Sequence, residues 1–153
     1  KEKAAYISTS QLPAGRRCQF AVTLDISPGW HINTNPSNPE YLIPTELTLK
    51  STLGVTLENV YYPLGMKLKM EETDEVFHVY DKTVTLIGDL IVPDSAAGKT
   101  DRLSFAIRYQ ACNEEACERP QTLHLEATVN VSQIGEPVRQ INDSVFQSAS
   151  PVR

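Results

Sequence analysis

The sequence predicts an all-β sandwich that ends in a short C-terminal helix or an extended tail. Apolar and polar residues alternate in several short runs, as in strands with one buried face. Turn-forming residues interrupt these runs about every ten residues, a spacing typical of sandwiches. With 153 residues, the chain is long enough to bury a full core as one domain.

The first clear strand runs through Phe20, Val22, Leu24 and Ile26, which take alternate positions and should share one buried face. The chain then turns at Ser27-Pro28-Gly29. Alternation places Trp30 and Ile32 toward the core and His31 and Asn33 on the opposite side. Further strands are expected at Thr45–Leu49, Val55–Tyr61, Phe77–Tyr80 and Thr83–Val92.

Near the C-terminus, Gly135-Glu136-Pro137 predicts the start of a short helix, because proline is favoured in a first helical turn. Val138, Ile141, Val145 and Phe146 would then lie along one side. We therefore predict a β domain over residues 1–134 and a tail or linker toward a following domain over residues 135–153.

The composition excludes several classes of function. The net charge is −5 with acidic and basic residues interspersed, so a nucleic-acid partner is not expected. No apolar run approaches the roughly 20 residues that span a bilayer, so a soluble domain is expected, part of a longer precursor. No hydrolase motif and no phosphate-binding loop is present, and the three histidines lack ligand spacing. Neither a cofactor nor a resident metal is expected.

The most informative feature is a predicted hairpin with a cysteine on each side of its tip. Leu103, Phe105, Ile107 and Tyr109 alternate before Cys112, and Leu123, Leu125, Ala127, Val129 and Val131 alternate after Cys117. In an antiparallel hairpin, the residue numbers of directly paired positions add to a constant. The apolar residues listed before and after the tip all have odd numbers, so this constant must be even if both sets are to face the core. Because 112 and 117 add to an odd number, the tip needs a bulge or an irregular loop, and Pro120 is a natural place for it.

A disulfide between Cys112 and Cys117 would close a very short loop and stabilise the fold by only about 2 kcal/mol. This favours redox chemistry over a purely structural bridge, which stays an alternative. Metal binding by Cys112, Cys117 and His31 is a third interpretation. Cys18 shares parity with Phe20 and should be a buried, inert thiol. We therefore expect the hairpin cysteines to pair and Cys18 to stay free.

Three blocks together resemble a known family. They are Tyr109-Gln110-x-Cys112 with Cys117-x-x-Pro120, Gly29-Trp30-His31-Ile32-Asn33 followed by Pro44-Thr45-Glu46-Leu47-Thr48-Leu49, and Val79-Tyr80-Asp81-Lys82-Thr83-Val84-Thr85-Leu86. In this order they resemble the N-terminal periplasmic domain of the thiol:disulfide interchange protein DsbD family. The resemblance implies an immunoglobulin-like sandwich, a periplasmic location and thiol–disulfide oxidoreductase activity.

The resemblance also implies partners and roles. A thioredoxin-like domain would reduce this domain, which would reduce periplasmic disulfide isomerases or cytochrome maturation proteins, and the full protein would be membrane-anchored. Cys117 would be the attacking and attacked sulfur, and Cys112 the resolving one. The alternative function is a non-catalytic immunoglobulin-like binding module with a structural disulfide.

Other positions depart from the family pattern. The family covers its cysteines with a cap loop, matched here by Met70–Glu75. Glu71 and Glu72 match its acids, but Thr73 stands where the family has an aromatic lid. His31 and Asn33 replace two tyrosines near the family's site.

Two interpretations of the site's charges follow. A His31 imidazolium near the cysteines would favour the thiolate, although His31 is also interpretable as a surface residue. Glu114 and Glu115, inside the cysteine loop, should disfavour the thiolate.

Overall fold

The computed structural model describes residues 2–69 and 74–149, and it is built from antiparallel strands. They are Glu2–Ile7 (β1), Arg17–Asp25 (β2), His31–Asn33 (β3), Glu46–Ser51 (β4), Thr56–Tyr61 (β5), Met66–Lys69 (β6), Val76–Tyr80 (β7), Thr83–Ile91 (β8), Thr100–Tyr109 (β9), Ala111–Cys112 (β10) and Gln121–Asn130 (β11). A turn of 3-10 helix covers Asp94–Ala96, and one α-helix, Asp143–Ala149 (α1), follows the strands.

Two sheets form the sandwich, with strand orders β1-β2-β8-β5 and β11-β9-β4. Their inward faces come from the predicted alternation, so that every second residue of β2 and of β9 is buried. At the centre, the rings of Phe20 and Phe105 stack with their centroids 3.6 Å apart. The predicted all-β sandwich is confirmed by these two packed sheets.

A third, smaller sheet with the order β10-β3-β7-β6 carries the cysteine region. The chain leaves β9 at Tyr109, passes Gln110 and enters β10 at Ala111, where it pairs with Ile32 of β3. The chain therefore contributes β9 to one sheet and, one residue later, β10 to another. This change of sheet places Cys112 on the small sheet.

Asn33 was expected to face away from the core and does lie on the face of β3 opposite Ile32, but it is only 1% exposed. Its side-chain amide donates to the carbonyl oxygen of Ile43 at 2.8 Å, and the Thr45 hydroxyl donates to its backbone carbonyl at 2.7 Å. The loop that follows β3 folds back over this face, so the outer face of the small sheet is partly an interior.

The predicted strands are present, with ends shifted by up to three residues, but β1, β6 and the two-residue β10 were missed. The helix prediction was wrong at its start, because α1 begins at Asp143. Before it, the backbone amide of Ser10 donates to the Arg139 carbonyl and that of Ile141 to the Ser8 carbonyl, so long-range pairing holds this segment out of a helix.

The segment after residue 134 lies against the sandwich. Phe146 is 6% exposed and packs on Ala21 and Ile87, with Tyr6 and Val145 beside it. The boundary at residue 134 stays a prediction, but these contacts join residues 135–149 to the β domain. In the described ranges, no helix has the length and apolar character that a bilayer crossing requires.

The Phe20–Phe105 stack should be a main source of stability. We expect Phe105→Ala to lower the free energy of unfolding by about 3–5 kcal/mol, because it leaves a cavity between the sheets. Leu64→Ala, at a position 88% exposed, is the control and should change it by about 0.5 kcal/mol or less. Urea unfolding measures both, and similar losses for the two variants would contradict this account of the core.

Candidate functional site

Cys112 and Cys117 form a disulfide with their Cα atoms 4.0 Å apart, and Cys18 is free, as the sequence predicted. Cys18 is 6% exposed, and burial raises the pKa of its thiol to about 11. Because the thiolate is the reactive form, Cys18 is inert at neutral pH. Of the three cysteines, the hairpin pair is therefore the candidate site.

Asn113 builds the loop between the two cysteines. Its backbone amide donates to the Ala116 carbonyl at 2.9 Å. Its side-chain oxygen accepts from the backbone amides of Glu115 and Ala116 at 2.8 and 2.9 Å. Asparagine is favoured in turns because its short side chain makes such bonds to the following backbone. The loop thus holds the cysteines opposite one another.

The expected bulge lies on the C-terminal side of the hairpin. Tyr109 pairs with Gln121, and Cys112 pairs with Cys117. Between these pairs, residues 110–111 face residues 118–120, so the second side carries one extra residue. The Glu118 amide still donates to the Ala111 carbonyl at 2.8 Å, and the Gln110 side chain donates to the Glu118 carbonyl at 3.1 Å. The residue numbers of pairs between β9 and β11 add to an even number, whereas 112 and 117 add to an odd one. The extra residue of the bulge makes the two pairings compatible.

The two sulfurs have unequal access to solvent. Cys112 is 6% exposed, because it lies in β10 between β3 and the opposite side of the hairpin. Cys117 is exposed, as are all residues from Glu114 to Pro120. Cys117 is therefore the more accessible residue of the disulfide, and Cys112 is the shielded one.

His31 pairs directly with Cys112 across β3 and β10, so the two side chains lie on the same face of the sheet. It is half-buried, and burial lowers the pKa of its imidazole, while the Asp81 carboxylate raises it less. The imidazole is therefore mainly neutral at pH 7. The sequence placed His31 near the cysteines, but the imidazolium that would favour a thiolate is not the dominant form.

Among the other predicted site residues, Asn33 shares a strand face with His31 but bonds to the loop as described, and Glu114 and Glu115 are exposed in the cysteine loop. Glu71, Glu72 and Thr73 lie outside the described residues, so the cap loop stays a prediction. Val76, which follows that segment, is five residues before Asp81, or about 16 Å along the strand from the level of His31. A cap over the cysteines requires the segment to fold back along the sheet.

The described residues contain no group of three or more His, Cys, Asp or Glu side chains arranged to hold a metal ion. With both hairpin sulfurs in a disulfide, the set Cys112, Cys117 and His31 has no thiolate to offer. Metal binding therefore gains no support from the geometry of the site.

The fold and the site define an immunoglobulin-like domain that carries an unequally exposed disulfide at a hairpin tip. The family model described as "Thiol:disulfide interchange protein DsbD, N-terminal" matches residues 1–128. The chain belongs to this family and is a thiol:disulfide interchange domain.

A solved structure supports the fold. The N-terminal periplasmic domain of ScsB from Proteus mirabilis matches with a TM-score of 0.58 and 14% identity, covering 96% of this chain and 51% of that one. This chain thus spans about half the length of the ScsB domain. The reduced DsbD N-terminal domain of Neisseria meningitidis also matches, with 14% identity, a TM-score of 0.44 and coverage of 88% and 89%. No curated protein matches the sequence.

The Asn113 side chain should tune the disulfide. We expect Asn113→Ala to make the disulfide easier to reduce, by about 1 kcal/mol or roughly 20 mV, because the two thiols are then held opposite one another less firmly. Equilibration with a glutathione buffer measures the potential. Asn113→Asp keeps the acceptor oxygen and is the control. An unchanged potential in Asn113→Ala would show that the strands alone set the geometry.

Proposed function

We propose that this domain relays electrons in the periplasm, accepting them from a thioredoxin-like domain and passing them to periplasmic disulfide isomerases or cytochrome maturation proteins. Family membership supports the kind of partner. The observation that carries the proposal is the difference in exposure between Cys117 and Cys112. A relay must meet each partner through one accessible sulfur and release it through a second sulfur held close behind.

The oxidised domain is reduced in two steps. A partner thiolate attacks the Cys117 sulfur, the Cys112–Cys117 bond breaks, and Cys112 leaves as a thiolate that takes up a proton. The partner's second thiolate then attacks the partner's first sulfur, which is bonded to Cys117 in the mixed disulfide. The partner's disulfide forms, and Cys117 is released as a thiolate. Two electrons have entered the domain, and the partner has become a disulfide.

The reduced domain passes these electrons on by the reverse chemistry. The Cys117 thiolate attacks the disulfide of the next partner and forms a mixed disulfide, releasing one partner thiolate. Cys112 then attacks the Cys117 sulfur, re-forming the intramolecular disulfide and releasing the reduced partner. Pairing of β10 with β3 supports the resolving role, because it keeps Cys112 beside Cys117 throughout the exchange.

Single cysteine variants test these roles. The test partner is a thioredoxin-like domain that lacks its own resolving cysteine and carries thionitrobenzoate in disulfide linkage on its remaining cysteine. Reduced Cys112→Ser should displace the thionitrobenzoate and accumulate a mixed disulfide through Cys117, because nothing resolves it. Cys117→Ser should accumulate none, since Cys112 is buried. Non-reducing gels and mass mapping give the readout. Trapping by the Cys117 variant alone would reverse the roles. Trapping by neither folded variant would favour the binding module with a structural disulfide.

The cap loop forms a second part of the proposal: Met70–Glu75, with Glu71, Glu72 and Thr73, lies over the cysteines and limits access to Cys117. Family resemblance supports it. Thr73→Phe restores the family's aromatic and should slow reaction of reduced Cys117 with glutathione disulfide several-fold, because a ring would block in-line approach. Thr73→Ser is the control. Equal rates in both variants would mean that this segment does not cover the site.

A further inference from the structure

The register of the small sheet sets four side chains in a row. Cys117 pairs with Cys112, and Cys112 pairs with His31. Tyr80 pairs with Ile32, so Asp81, the next residue, lies at the level of His31. Neighbouring strands are about 4.8 Å apart, and directly paired side chains share a face. The imidazole is therefore one strand from Cys112 and two strands, or about 10 Å, from Cys117.

From this arrangement we propose that His31, oriented by Asp81, is the proton acceptor and donor for the buried resolving thiol of Cys112. The inference rests on the proposed function. It assigns to His31 the proton transfer to and from Cys112. Cys117 needs no such group, because it is exposed and exchanges protons with solvent directly.

Burial creates the need for such a group. Cys112 is 6% exposed, and a buried thiol ionises reluctantly because the thiolate loses its hydration. Water has little access to take up the proton. His31 is half-buried, so one part of its ring can face the thiol while another part reaches solvent. A neutral imidazole is the form that accepts a proton, and the lowered pKa of His31 keeps it in that form at pH 7.

The resolving step transfers one proton from Cys112 to His31. The Cys112 sulfur gives its proton to the imidazole and attacks the Cys117 sulfur. The Cys112–Cys117 bond forms, and the bond from Cys117 to the partner sulfur breaks. The partner leaves as a thiolate, and the imidazolium returns its proton to solvent. When the domain is reduced, the departing Cys112 thiolate takes a proton from the imidazolium by the same path.

Asp81 is the charged group that acts on His31 in this site, and its carboxylate favours the imidazolium that forms during the step. Cys112 is the titratable group that faces His31 from β10. Removing the carboxylate should make the imidazole a weaker base without moving Cys112. Asp81→Asn should therefore change the rate in the same direction as loss of His31, but less.

The two steps separate in the reaction of the reduced domain with an aromatic disulfide such as dithiobis(nitrobenzoate). Attack by Cys117 releases one coloured thiolate, and attack by Cys112 on the resulting mixed disulfide releases a second. Stopped-flow absorbance over a range of pH follows both phases. In the wild-type chain, the second phase should be nearly independent of pH between neutrality and the pKa of a thiol, and should fall as His31 becomes protonated.

In His31→Gln the second phase should be slower by on the order of tenfold or more at pH 7. It should then rise about tenfold per pH unit, because it follows the thiolate fraction alone. The first phase should be unchanged. His124→Gln, an exposed histidine on β11, is the matched control and should behave as wild type. In His31→Ala, added free imidazole should restore the second phase, which a merely structural role would not allow.

A second phase with the same pH profile in wild type and His31→Gln would overturn the inference and leave the proposed function intact. A slower second phase in His31→Ala that imidazole fails to restore would reduce His31 to a packing residue and also overturn it. If the first phase does not depend on Cys117, the proposed function itself fails. The outcomes therefore distinguish the two proposals.

Discussion

The pairing of β10 with β3 is the constraint on which the site depends. Tyr109 is the last residue to pair with β11, and Ala111 is the first to pair with β3, so the chain changes sheets across Gln110. This change places Cys112 between β3 and the other side of the hairpin, where it is buried. In the part of the chain that the structure describes, Cys117, on the other side of the loop, has no further strand beside it. One backbone pairing therefore turns two chemically identical side chains into a shielded and an accessible sulfur.

The bulge follows from combining this pairing with a packed core. Because the inward faces of β9 and β11 must match, the numbers of their paired residues add to an even number. The numbers of the directly opposed Cys112 and Cys117 add to an odd one. A residue must be gained between them, and Pro120, which has no amide proton to lose from a ladder, stands where it is gained. Asn113 then closes the loop. The irregular tip is thus a consequence of register, and function uses the exposure that it creates.

Alternation was enough to predict the sandwich, the cysteine hairpin and its bulge, because these depend on neighbours in sequence. It missed β1 and β6. It also misplaced the start of α1, because backbone hydrogen bonds that join Ser8 and Ser10 to Ile141 and Arg139 hold the preceding segment out of a helix. Contacts with other segments also determine the surroundings of the site residues. The sequence identified both cysteines and His31, but the burial of Cys112, the neutral form of His31 and the buried Asn33 all follow from how β3 is covered.

The two sulfurs experience different electrostatic surroundings, and this bears on selectivity. Glu114 and Glu115 lie in the loop beside Cys117, and both are exposed, so solvent and salt weaken their electrostatic effect on it. A partner docked at this loop would exclude that solvent and change the electrostatic surroundings of Cys117. Cys112 is already shielded, and its surroundings, His31 and Asp81 included, are set by the fold. In the proposed relay, the attacking step would therefore be open to control by the partner, whereas the resolving step would be controlled by the domain. Such a division would let one disulfide serve more than one partner without reacting freely with every disulfide.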